Sequence, residues 1–141
     1  MIEILNRQRR RKIKANQWQE FASRVLKAIE TDNRDATIIF VSDAAMKKLN
    51  RQFRGKNYAT DVLSFPARAE KFEEENEASL GEIVISVERA AAQANENGLA
   101  LVNETQQLIL HGLLHLRGCD HETDRGEMNR LELKLRKKLG I

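Results

Sequence analysis

Between Asn16 and Glu30 the apolar residues Trp18, Phe21, Val25, Leu26 and Ile29 recur at the spacing of a helix with one inward face. The run "ATIIFV" from Ala36 to Val41 is short and β-branched, which predicts a buried strand. Ser42 is placed to cap a helix running to about Phe53, with Gly55 as its stop. Three further short runs predict strands: "IEIL" near the start, "VLSF" closed by Pro66, and "EIVISV" from Glu82 to Val87. Ser86 can cap the helix "VERAAAQANEN", which stops at Gly98. Two more helices are predicted, from about Asn103 to Arg117 and from about Thr123 to Leu139, and the acidic "EKFEEENE" reads as an exposed loop. Strands alternating with helices imply an α/β or α+β fold, a small mixed β-sheet packed with helices. The strand order cannot be read from this pattern.

One predicted helix differs from the others. From Gln107 to Leu116 it is apolar nearly all round, through Leu108, Ile109, Leu110, Leu113, Leu114 and Leu116, so it should be the buried central helix. Its polar exceptions Gln107, His111 and His115 recur every four residues and share one face, which makes that face the lining of a cleft. All three histidines of the chain lie in "HGLLHLRGCDH", from His111 to His121. Side chains four apart on a helix have Cβ atoms about 5–6 Å apart, close enough for two imidazoles to meet one ion. Gly118 can end the helix and let the turn "RGCD" bring His121 back toward the pair. Three imidazoles make three corners of a tetrahedron and leave the fourth open, as in catalytic zinc sites. The competing reading is three separately hydrogen-bonded core histidines, each needing its own partner in apolar surroundings.

Composition narrows the setting. With 141 residues, 41% hydrophobic and 32% charged, the chain suits one domain with a core deep enough for a site. No segment has the length of a bilayer span or the order of a signal peptide, so no membrane role is expected. Cys119 is the single cysteine and has no intramolecular partner, which fits a reducing cytoplasm. A net charge of +3 does not by itself indicate a nucleic-acid partner. The cluster from Arg7 to Lys14 reads equally as a phosphate-contacting patch or as solvated surface.

The histidine spacing also occurs in metzincin peptidases, where the residue after the first histidine is the glutamate general base. Here it is Gly112, so a peptidase would lack its proton acceptor. The segment resembles much more closely the H-G-x-L-H-L-x-G-x-D-H signature of the YbeY family of metal-dependent endoribonucleases. A second family motif stands in "LNRQFRGKNYATDVLSFP" from Leu49 to Pro66, followed by "LGEIVIS" from Leu80 to Ser86. Arg117 and Cys119 depart from the usual aliphatic and aromatic residues, and neither is a family ligand.

The resemblance implies a single metallo-endoribonuclease domain over 1–141, with one zinc ion per chain on His111, His115 and His121. It implies single-stranded ribosomal RNA as substrate, in maturation of the 16S 3′ end and in ribosome quality control. The small ribosomal subunit and its associated factors are the partners it implies. It also assigns transition-state charge stabilisation to the arginine of "FRG", which is Arg54 here, with Lys56 a possible substitute cation. Read without the resemblance, Arg54 is a solvated residue favourable to a helix C-terminus. Asp61 and Asp120 are the carboxylates nearest the two motifs, and the sequence does not choose which would hold a histidine ring or carry a proton. Another zinc hydrolase, or a non-catalytic ribosome-assembly factor with a structural zinc, are the alternative functions.

Overall fold

The structure, a computed structural model, describes residues 1–67, 79–118 and 126–141. The described chain runs β1 (Ile2–Asn6), α1 (Ala15–Ala28), β2 (Asp35–Val41), α2 (Asp43–Arg54), β3 (Val62–Pro66), β4 (Ser79–Ser86), α3 (Val87–Glu96), α4 (Leu101–Leu116) and α5 (Glu127–Leu139). The four strands form one sheet in the order β1-β2-β4-β3. β1, β2 and β4 are parallel, and β3 runs antiparallel to β4. The expected mixed sheet packed with helices is therefore present. The acidic stretch 70–77, Cys119, Asp120, His121 and Thr123 lie outside the described residues.

β2 and β4 occupy the centre of the sheet and are largely apolar on both faces, with exposed Glu82 of β4 an exception. Alternation sorts their side chains into two cores. Ile38 and Phe40 of β2, with Ile83 and Ile85 of β4, face the larger core, which α1, α4 and α5 complete through Phe21, Val25, Ile109, Leu113 and Leu135. Ile39, Val41 and Val84 face the opposite side, where Met46 of α2 and Leu63 of β3 join them. From Ala36 onward registry matches the two strands residue for residue, with Ile38 opposite Ile83 and Ile39 opposite Val84, after a one-residue shift between Asp35 and Ala36.

The predicted caps form. Ser42 accepts a hydrogen bond from Ala45 N at 3.2 Å, and Ser86 accepts one from Arg89 N at 3.2 Å. Gly55 stops α2 in the left-handed conformation, φ 68°. Several boundaries differ from expectation: α1 ends at Ala28 rather than Glu30, and α5 begins at Glu127. β4 begins at Ser79 because Ser79 and Gly81 already pair with β2, an extension that polar and glycine residues hid from the hydrophobic pattern. α4 begins at Leu101, two residues before the expected start, after an extended Ala100 with no side-chain cap.

α4 is the central helix, with Ile109, Leu110, Leu113 and Leu114 fully enclosed. It lies close on β4 at one point: a Cβ on Gly112 would meet three carbons of Ile83 at 2.9–3.1 Å. Ile83 is itself fully buried and has nowhere to retreat. Filling that contact should therefore strain the helix–sheet packing. Gly112→Val should lower the unfolding free energy by about 2–3 kcal/mol in urea titrations, and an unchanged midpoint would show that α4 can rise off the sheet without loss.

Candidate metal centre

The polar face of α4 carries His111 and His115 one turn apart, both half-buried. Their Nε2 atoms are 3.0 Å apart, and the rings meet edge to face with centroids 4.5 Å apart. The His111 Nδ1–H donates to Oε1 of Glu132 at 2.8 Å. An ionised carboxylate only accepts, so this contact places the proton on Nδ1 and the lone pair of the neutral ring on Nε2. The nitrogen with the lone pair is the one that faces His115.

This arrangement fits a metal. Two nitrogens bound to one zinc at about 2.0–2.1 Å in a tetrahedron lie about 3.3–3.4 Å apart, so the observed pair needs to open by only a few tenths of an ångström. A carboxylate behind a ligating histidine, fixing its tautomer and ring plane, is the usual support of such sites. Among the described residues no three histidine, cysteine or carboxylate side chains form a complete ligand set. The third expected ligand, His121, lies outside them.

Glu132 is the site residue that the sequence reading missed. It is buried, with its side chain 7% exposed, and its second oxygen lies 3.5 Å from Arg136 Nη2 one turn further along α5. Burying a carboxylate is costly unless it is paired, and His111 and Arg136 supply the pairing. A signal was present. Met128, Glu132, Leu135 and Leu139 form the buried stripe of α5, and an acid among three apolar residues at helical spacing marks a position facing a partner.

The two carboxylates considered from sequence are placed differently. Asp61 accepts from its neighbours Val62 N at 2.8 Å and Thr60 Oγ1 at 3.2 Å. With the Gln93 amide oriented so that its nitrogen faces the two acids, it donates to the other Asp61 oxygen at 3.0 Å and to Glu104 at 3.1 Å. Asp61 thus ties the start of β3 to α3 and α4. Asp120 lies outside the described residues.

Arg54 ends α2, whose core contacts lie on the sheet face away from α4. Its side chain is exposed. The turn that follows is fixed by the buried Asn50, whose side-chain amide donates to Tyr58 O at 2.8 Å and whose carbonyl accepts from Lys56 N at 3.3 Å. The basic segment after β1 is also shaped: Gln8 bonds Asn6 Oδ1 and Arg11 O, and Arg10 lies 3.7 Å from Glu88. No helix among the described residues is long and apolar enough to cross a membrane.

Fold and site together describe a small α/β protein with a carboxylate-backed histidine pair on its central helix. A family model described as endoribonuclease YbeY matches residues 3–140, extending the likeness well beyond the two motifs into the first forty residues and the last helix. The chain belongs to the YbeY endoribonuclease family. It is 45% identical over 123 residues to endoribonuclease YbeY of Solibacter usitatus, covering 87% of this chain and 78% of that one. With the Geobacter metallireducens relative of the same name it shares 33% identity, covering 99% and 94% of the two chains. A solution structure of a Thermotoga maritima protein superposes with a TM-score of 0.66 at 29% identity, covering 99% of this chain and 89% of that one.

If Glu132 acts by orienting His111, Glu132→Gln should keep the packing of α5 while weakening zinc about ten- to a hundredfold in a chelator competition titration. Unchanged affinity with unchanged stability would reduce the pair to a packing contact.

Proposed function

We propose that this YbeY-family endoribonuclease cleaves single-stranded ribosomal RNA with one zinc ion held by His111, His115 and His121. The observation that carries the reading is the pair of facing Nε2 atoms 3.0 Å apart, with Glu132 behind the first of them. A divalent metal bound there supplies Lewis acidity and makes water nucleophilic near neutral pH. The protein's own part is positional. Glu132 keeps His111 in one tautomer and plane, and α4 holds both rings on one face. Arg54 offers a planar fork of N–H donors to the phosphoryl oxygens as negative charge grows on them. We assign the activity to maturation of the 16S 3′ end and to ribosome quality control in the cytoplasm, alongside the small subunit and its factors.

The geometry argues against a peptidase. The position where such an enzyme carries its general base is Gly112, and even a Cβ there would meet Ile83 at 2.9 Å. A glutamate has no room.

Elemental analysis should find about one zinc per chain, depleted by alanine at position 111, 115 or 121. Arg54 supplies no ligand lone pair, so Arg54→Ala should keep zinc and fold but slow single-turnover RNA cleavage about a hundredfold or more. Arg54→Lys should restore only part of the rate, because a point charge does not reproduce a two-pronged contact. Full zinc in all three histidine variants would end the metal reading. Cleavage of casein but not RNA would end the nuclease assignment, and zinc binding with neither activity would leave an assembly factor.

A further inference from the structure

The face of the sheet away from α4 is incompletely covered. α2 crosses it and leaves a groove of about 240 Å³, whose walls include Leu49, Phe53, Phe65 and Val84, together with Arg7 and Glu82. Phe53 is 56% exposed, high for so large an apolar side chain. Its ring is nonetheless fixed: it meets Phe65 of β3 edge to face, with centroids 5.2 Å apart and planes at 73°. One aromatic face is thus held in place at the surface.

The surroundings select the occupant. Arg7 lines the groove itself, and α2 beside it carries exposed Lys47, Lys48, Arg51 and Arg54 against a single acid, Asp43. Such a combination of fixed aromatic surface and flanking cations suits single-stranded nucleic acid, in which bases stack and phosphates meet the charges. Glu82 decides which part of the strand enters. It is exposed and lines the groove, where a carboxylate repels phosphate and accepts N–H groups from the edge of a base.

We propose that this groove takes one unpaired base of the RNA against the Phe53 ring, while Arg7 and the α2 cations Lys47, Lys48 and Arg51 hold the adjoining phosphates. The proposal rests on the RNA reading above. Its relation to the metal centre follows from β3, an edge strand among the described residues. Leu63 and Phe65 point to the groove side, and Val62 packs toward the α4 side. A strand anchored in the groove crosses one β-strand to reach the face that carries the histidines.

The test is fluorescence anisotropy of the full chain with a short 5′-fluorescein oligocytidylate, in EDTA so that the RNA stays intact, beside a cleavage assay of the zinc-loaded protein. Phe53→Ala should weaken binding about fivefold to a hundredfold and leave the slope of log K against log salt unchanged. Phe53→Trp should bind at least as well as the native chain. Phe53→Leu, which fills the groove without a ring face, should be as weak as alanine. Arg51→Ala should instead flatten the salt slope by about 0.7. Native affinity in both the alanine and leucine variants, with RNA still cleaved, would overturn the groove and leave the nuclease reading standing. A native protein that neither binds nor cuts RNA would remove both. A dimer that Phe53→Ala dissociates without change in RNA affinity would give the groove to a second copy of the chain and overturn the proposal.

Discussion

The seating of α4 on β4 is the constraint on which the rest of the molecule depends. Ile83 is enclosed on every side, and Gly112 lets the helix backbone come down on it without a side chain between them. That contact fixes the height of the helix over the sheet. With the apolar residues of α4 committed to the core, its histidine face is left for the cleft. A bulkier residue at 112 would press on Ile83 and disturb the seating that brings His111 to Glu132. The residue that denies the protein a peptidase's base is therefore also the one that aligns its histidines.

Charge is handled economically around this helix. The buried carboxylate of Glu132 is met by His111 on one oxygen and by Arg136 on the other. Glu104, at the other end of α4, is buried too, and it shares the Gln93 amide with Asp61. The two differ in how well they are met: Glu132 has a partner on each oxygen, whereas Glu104 has the neutral Gln93 amide on one oxygen and, among the described residues, none on Oε2. The histidine face of α4 thus lies between two polar clasps.

Much of this was legible in the sequence because the signals were local. The apolar spacing of α1, the β-branched run of β2, the serine caps of α2 and α3 and the glycine stop after α2 each follow from short-range physics. The pairing of His111 with His115 was legible for the same reason, since one helical turn separates them. What was hidden was long-range. Strand order depends on which faces find each other after collapse, and no residue of β4 announces that it lies between β2 and β3. Glu132 is twenty-one positions from the ring that it holds, and its helix reads as an ordinary amphipathic segment until the acid in its apolar stripe is noticed. The groove beneath α2 was equally silent, because Phe53 and Phe65 reach the same side of the sheet from different elements.

The clasp between His111 and Glu132 also orders events in time. α4 precedes α5 in the chain, and the tautomer of its first histidine is set only where the later helix docks. The carboxylate that ends this choice is borne on the last of the described elements. Until α5 packs, the nitrogen pair lacks the carboxylate that holds the His111 proton on Nδ1.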